Sequence, residues 1–161
     1  MLRIADKPLY KDYKITTNQT AKDIAAAIVK SIKDSKDTAL LIAPYLNSKD
    51  PYTICKNVFT FCKNNIEYVK ESRDLQTAKT LVRILADKQG DCKHMSTTAY
   101  SLLKALGINC KLRLISQNFY NPDPTHIYVI AKLKNDTIVI DPVLKNFNNE
   151  ARYYYKYDIK A

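Results

Sequence analysis

Three side chains of this sequence have the types and order that nucleophilic catalysis by cysteine requires. Cys92 follows a Gly-Asp turn and begins a segment in which apolar and small residues recur at helical spacing as far as Leu106. Unpaired N–H groups and the positive end of the helix dipole would favour a thiolate there. A cysteine nucleophile also needs a base, and the base needs a partner that orients it. His126 and Asp141 could supply these two functions.

His126 and Asp141 each lie in a segment with the alternating, β-branched pattern that predicts a strand. Asn135 and Asp136 between the two segments predict a hairpin turn. In an antiparallel pair joined there, the imidazole and the carboxylate fall at the same end of neighbouring strands. A helix packed on this sheet with its N-terminus at that end would bring Cys92 to them. The expected constellation is a Cys-His-Asp triad.

The elements that must position these groups are predicted from periodicity, capping residues and turn residues. Helices are expected at 21–33, 38–46, 51–64, 80–86 and 95–106, and extended segments at 66–69, 110–116, 125–131 and 137–141. Pro44 argues for a break in the second helix, and Gly107 ends the helix that follows Cys92. The predicted fold class is α+β, with N-terminal helices and the nucleophile helix packed on an antiparallel β-sheet.

The order of these motifs resembles the transglutaminase-like superfamily. Four stretches carry the resemblance: GDC at 90–92, LLKALGI at 102–108, HIYV at 126–129 and IDP at 140–142. The resemblance covers roughly 52–142 and implies a papain-like core in which Cys92, His126 and Asp141 are catalytic. The tail after Pro142 is similar to versions found in phages and prophages of Bacteroidetes-type bacteria. We expect one domain over 1–161, with an N-terminal arm at 1–18 and a tail at 143–161.

The sequence departs from the family pattern at two points that concern the site. Lys93 stands where many relatives have an acidic residue after the nucleophile, and the chain has no Trp, although many relatives have one near the histidine strand. The backbone N–H of Cys92 is the natural first donor of an oxyanion hole. Gln76 and Gln89 are candidates for the second donor.

Phe119 and Tyr120 are candidates for substrate contacts because they lie on the proline-containing loop that leads to His126. Aromatic side chains on such a loop could line a substrate channel. They could equally pack against one another and hold the loop on the surface. The pattern of the sequence does not choose between these two interpretations.

No metal or other cofactor is expected from the distribution of potential ligands. The four cysteines contain no CxxC pair, and the chain has no acidic loop of the calcium-binding type. Cys92 with His94 would supply too few ligands for a metal site. Cys55, Cys62 and Cys110 are predicted to be buried core thiols.

Composition predicts a single basic domain without export or membrane signals. The chain has 161 residues, of which 46% are hydrophobic, and a net charge of +10. Its lysines are spread along the whole length and form no basic-aromatic motif, so a nucleic-acid partner is not favoured. The N-terminus has no apolar signal region, and no apolar run approaches about 18 residues. These features lead us to expect a cytoplasmic protein, with association to a virion left open.

Two classes of function fit these observations. The first is an acyltransferase or hydrolase that attacks a protein or peptide amide through Cys92 and passes the acyl group to water or to an amine. The second is a phage virion or assembly protein that keeps the fold, with other virion proteins or further copies of itself as partners. An open cleft at Cys92 would favour the enzyme, and a cleft covered by neighbours would favour the structural role.

Overall fold

We analysed a computed structural model that describes residues 11–15, 20–72 and 75–161. Its helices are α1 (Ala21–Asp34), α2 (Lys36–Ile42), α3 (Pro51–Asn65), α4 (Leu81–Asp87) and α5 (Cys92–Ala105), with a 3₁₀ helix at Ala43–Leu46. Its strands are β1 (Asp12–Ile15), β2 (Glu67–Tyr68), β3 (Gln76–Lys79), β4 (Gln89–Gly90), β5 (Cys110–Ser116), β6 (His126–Lys132), β7 (Thr137–Ile140) and β8 (Tyr155–Ile159). The predicted N-terminal arm lies largely outside the described residues. No described helix is long and apolar enough to cross a membrane.

The helices begin and end at the residues whose capping chemistry predicts it. Thr20 and Asp23 form a capping box at the start of α1. The Asp50 side chain accepts hydrogen bonds from the first N–H groups of α3. The helix predicted at 38–46 is divided as Pro44 suggested, because α2 ends before the proline and a 3₁₀ helix continues. Gly107 ends α5 with a positive φ of 75°.

The central layer is a four-stranded antiparallel sheet with the order β7-β6-β5-β8. Helix α5 packs on β6 and is enclosed on its other sides by α1, α2, α3 and α4. Because it is surrounded, nearly all of its side chains are buried, including the polar ones. Helices packed around one buried helix and an antiparallel sheet confirm the predicted α+β class.

The second face of the sheet is covered by the C-terminal segment of the chain. The buried Arg113 of β5 donates hydrogen bonds to Asp158 of β8 and to Glu150, and Tyr128 of β6 also donates to Glu150. The same segment carries Phe147, which packs edge-on against Phe59 of α3. The sequence pattern predicts five inward-facing residues in this helix, and four of them are buried while the fifth, Phe61, is partly buried against the core: Ile54, Cys55, Val58, Phe61 and Cys62. Phe59 is also buried, which the pattern did not predict, and Phe147 of the tail packs on it.

Two short pairings hold the segments that lead to Cys92. β1 pairs antiparallel with β3, and β2 pairs parallel with β4 so that Tyr68 lies opposite Gly90. The Val69 N–H donates to the Gly90 carbonyl at 2.9 Å. Gly90 is close to His94, because a Cβ added to the glycine would lie 2.6 Å from the His94 Cβ. A side chain at position 90 would therefore push on the first turn of α5.

We expect Gly90→Ala to lower the free energy of unfolding by about 1–3 kcal/mol, because the added methyl group overlaps a fully buried side chain. Urea unfolding measures this loss. The displaced first turn of α5 should also slow alkylation of Cys92.

Gly107→Ala is the matched control, since a Cβ at that position meets nothing within 4 Å. The positive φ there should cost about 1 kcal/mol and leave Cys92 alkylation unchanged. Equal alkylation rates in the two alanine variants would contradict the proposed role of Gly90.

Candidate active site

Cys92 is the first residue of α5, and Asp91 is the residue that caps this helix. The Asp91 carboxylate accepts the Lys93 N–H at 3.0 Å, and the Asp91 N–H donates to Nδ1 of His94 at 3.1 Å. These bonds fix the turn that carries the thiol. At a first helical position the backbone N–H has no acceptor inside the helix, so the Cys92 N–H is available to a ligand.

Cys92 is the one partly exposed cysteine, and the other three are buried. Burial raises the pKa of the Cys55 thiol to about 11 and the pKa values of the Cys62 and Cys110 thiols to about 12. The three buried thiols therefore stay protonated and unreactive near neutral pH. Their placement agrees with the prediction that they belong to the core.

His126 and Asp141 lie side by side at one end of β6 and β7. Nε2 of His126 is 2.6 Å from Oδ2 of Asp141, and the carboxylate is almost completely buried. The other carboxylate oxygen accepts the Val143 N–H at 3.2 Å. The imidazole is therefore held by its Nε2 edge, which leaves Nδ1 for another partner.

That other partner of the imidazole is the thiol of Cys92. Burial lowers the pKa of His126, but hydrogen bonds to Asp141 and to Cys92, together with their negative charges, outweigh burial and raise the pKa to about 9. The imidazole is thus protonated near neutral pH while it contacts both groups. The structure brings together the three residues that the sequence singled out.

Cys92 and His126 line a cleft of about 210 Å³. Its lining also includes apolar side chains of α1, among them Ala21 and Ile24, and the polar side chains of Lys70 and Glu71. Tyr68 of β2 also lines the cleft, although the sequence analysis did not single it out. A group bound in this cleft would therefore meet both Cys92 and His126.

The two glutamines that the sequence suggested as oxyanion donors lie in different environments. Gln76 lines the cleft, but its amide nitrogen donates to the backbone carbonyl of Ser72 at 2.8 Å, and its amide oxygen accepts from Lys93 at 2.7 Å. Gln89 is exposed on β4 and does not line the cleft. Neither amide group points a free donor at the thiol in this arrangement.

Phe119 and Tyr120 lie on the loop between β5 and β6, outside the walls of the cleft. Their side chains are 58% and 92% exposed. Their rings contact each other edge-on, and Phe119 contacts Tyr154 in the same way. The three rings form an aromatic patch on the surface, defined here as Phe119, Tyr120 and Tyr154.

A buried charged cluster lies at the first turn of α5, next to Cys92. The Lys93 ammonium contacts the Asp91 carboxylate and lies 3.5 Å from Glu71. Burial raises the pKa of Asp91, but His94 and the Lys93 charge outweigh burial and hold the pKa of that carboxyl well below its usual range. Nε2 of His94 lies 3.2 Å from the Thr77 hydroxyl, which itself donates to Glu71.

Glu71, Asp91 and His94 have ligand atoms within 4.8 Å of one another, and this is a spacing that a metal ion could use. The Lys93 ammonium already supplies a positive charge between the two carboxylates. Nδ1 of His94 is also engaged by the Asp91 N–H. The cluster therefore already contains one cation, the Lys93 ammonium, which both carboxylates share. The sequence signal for it was Lys93 itself, the unusual cation next to the nucleophile.

We expect Lys93→Met to lower the free energy of unfolding at pH 7 by about 3–5 kcal/mol, because it leaves two buried carboxylates without a cation. The pKa of Asp91 is lower in the folded protein, so the contact stabilises the fold above about pH 4 and is lost as the pH falls further. The deficit of the variant should shrink on acidification. Urea unfolding at several pH values measures it.

Lys111→Met is the matched control, because Lys111 pairs with Asp158 at the surface and is 36% exposed. Such a pair contributes less than about 1 kcal/mol. A similar loss in both variants would contradict the special role of Lys93.

We expect Asp141→Asn to lower the pKa of His126 from about 9 toward its ordinary value of 6.5, because the neutral amide no longer stabilises the imidazolium. A pKa raised by folding stabilises the protein below about pH 6.5, and this contribution is lost as the pH rises through 9. NMR titration of the two histidine rings measures the change. Asp136→Asn, at an exposed turn position, is the control. A His126 that titrates near 6.5 in the wild type would refute the assignment.

Comparison with solved structures finds the same fold in bacterial proteins of low sequence identity. A putative protease from Parabacteroides distasonis superposes with a TM-score of 0.58 at 15% identity, over 74% of this chain and 26% of the other. A putative cysteine protease from Cytophaga hutchinsonii superposes with a TM-score of 0.52 at 17% identity, over 83% of this chain and 48% of the other. The chain thus spans less than half the length of either protein.

No curated protein matches the chain in sequence. The profile of one family does, and it extends from residue 39 to residue 155, which includes all three residues of the site. The matched region takes in α3, the nucleophile helix and β5, β6 and β7, the elements that build the site. The chain belongs to the transglutaminase-like superfamily.

Proposed function

We propose that the chain is a cysteine-dependent enzyme that transfers acyl groups from protein or peptide amide bonds. Cys92 is the nucleophile, His126 is the general base and acid, and Asp141 orients the imidazole. The observation that carries this proposal is the imidazole itself, which contacts the buried carboxylate through Nε2 and the thiol on its other side. Nucleophile, base and orienting group in that order are the elements of a triad.

The proposed reaction begins with a Cys92 thiolate paired with the His126 imidazolium. The sulfur attacks the carbonyl carbon, an S–C bond forms, and the carbonyl π electrons move to oxygen. When the C=O bond re-forms, the C–N bond breaks and His126 gives its proton to the leaving amine. Asp141 keeps the ring aligned and stabilises the imidazolium until that transfer. The product is a thioester on Cys92.

The thioester can pass to water or to a primary amine. Transfer to water makes the chain a protease or an amidase, and transfer to a lysine amine makes it a crosslinking enzyme. A polypeptide substrate is supported by the lining of the cleft, which combines Cys92 with apolar side chains of α1 and with the polar Lys70 and Glu71. The aromatic patch is a further surface that a bound polypeptide could contact, because exposed rings provide contact area at small entropic cost.

We expect iodoacetamide to alkylate Cys92 selectively below pH 7, because the neighbouring imidazolium favours the thiolate. His126→Ala should slow that reaction at least about tenfold. Labelling from pH 5 to 9, mapped by mass spectrometry, gives the rates at all four cysteines in one experiment.

The three buried cysteines are internal controls, since their raised pKa values predict slow labelling throughout this range. Equal labelling of Cys92 and the buried thiols would refute the proposed enzyme. The alternative, a structural use of the fold such as a virion component, would then be the better explanation.

A further inference from the structure

Tyr68 is a polar side chain of the cleft that the proposed triad does not use. It lies on β2, which pairs with β4 so that Tyr68 is opposite Gly90, two residues before the nucleophile. Its side chain lines the same cleft as Cys92 and His126 and is 45% exposed. Among the described residues its hydroxyl has no hydrogen-bond partner. A free O–H group is therefore held at the wall of the site.

The proposed reaction needs a second donor for the oxygen that becomes negative. The Cys92 N–H is one donor, and an oxyanion is usually held by two. Gln76 and Gln89 do not supply the second in this structure, since one amide is already bonded and the other lies away from the cleft. The Lys93 ammonium is occupied by Asp91, Glu71 and Gln76.

We propose that the Tyr68 hydroxyl is the second donor of the oxyanion hole at Cys92. This inference rests on the proposed acyl-transfer function and assigns one catalytic group within it. The β2–β4 pairing fixes Tyr68 beside the first turn of α5, so the donor is positioned by the backbone and does not have to move far.

The electrostatic surroundings of Tyr68 suit a donor. Burial raises the pKa of Tyr68, and the negative charges of Cys92, Asp91 and Asp141 raise it further. The phenol therefore keeps its proton at any pH at which the triad works. A neutral O–H group can donate to the oxyanion without adding a charge that would compete with the imidazolium.

The step that the hydroxyl assists is the attack of sulfur on the carbonyl carbon. As the S–C bond forms, the π pair of the C=O bond moves to oxygen, which accepts hydrogen bonds from the Cys92 N–H and the Tyr68 O–H. The Tyr68 proton stays on its own oxygen. When the pair returns, the leaving group departs with the electrons of its bond, and a thioester on Cys92 remains.

Two reagents separate this role from any effect on the thiolate. Iodoacetamide reacts at a saturated carbon, and sulfur displaces iodide without forming an oxyanion. p-Nitrophenyl acetate reacts at a carbonyl carbon through a tetrahedral oxyanion, acetylates Cys92 and releases p-nitrophenolate. Neither reagent depends on recognition of a particular polypeptide. The ratio of acylation rate to alkylation rate at Cys92 therefore reports on the oxyanion hole.

We expect Tyr68→Phe to slow acetylation of Cys92 by roughly 100- to 1,000-fold, as loss of an oxyanion donor does, and to leave alkylation at the wild-type rate. The ring is retained in this variant, and the side chain is half exposed, so folding should be preserved. Tyr45→Phe, on the exposed 3₁₀ helix, is the matched control and should change neither rate. The release of p-nitrophenolate and the mass of the acetylated peptide give the two measurements.

Each other outcome overturns the assignment in a distinct way. If Tyr68→Phe leaves both rates unchanged, Tyr68 is not a donor, and the proposed triad stands without it. If both rates fall equally, Tyr68 acts on the thiolate and not on the oxyanion. If Cys92 of the wild type reacts with neither reagent faster than the buried cysteines do, the proposed function fails and the assignment fails with it.

Discussion

The contact between His126 and Asp141 is the interaction on which the candidate site depends. A nearly fully buried carboxylate holds the ring through Nε2, and the same charge raises the pKa of the imidazole despite its burial. The ring is thereby charged and turned toward Cys92 before any ligand binds. Burying a charge is unfavourable unless it is paired, so the fold must enclose both partners together. The antiparallel pairing of β6 with β7 encloses both partners, because it brings the start of β6 and the end of β7 to the same edge of the pair.

The nucleophile side of the site is held by a separate set of contacts that converge on the start of α5. Asp91 caps the helix, the Lys93 ammonium pairs with both Asp91 and Glu71, and Gly90 leaves the space that His94 fills. All of these groups are buried or partly buried, so their charges are poorly screened by water. These contacts hold the turn that carries the thiol. A reactive group must be held within about 0.5 Å of its productive position. The His126–Asp141 contact and this supporting cluster consist of different residues, so each can be perturbed separately.

Local signals in the sequence account for most of the observed elements. Thr20 and Asp50 cap helices, Pro44 divides one, and Gly107 ends another, because these effects act over four or five residues. The strand at 110–116 was predicted with its observed bounds. The burial of Phe59, which the helical pattern did not predict, shows where local reasoning stops. One of its packing partners, Phe147, comes from a tail distant in sequence.

By itself the sequence determined the fold class, the order of the helices and of β5, β6 and β7, and the three residues Cys92, His126 and Asp141 as candidates. Residue type, spacing and alternation suffice for this, since they reflect backbone geometry that repeats every two or 3.6 residues. Only the tertiary structure decided that Tyr68 lines the same cleft as Cys92 and that Lys93 lies between two acidic side chains. It also decided that Gln76 is engaged elsewhere. The physical reason is that these contacts join segments far apart in the chain, and their partners are set by packing and burial, which no local pattern encodes.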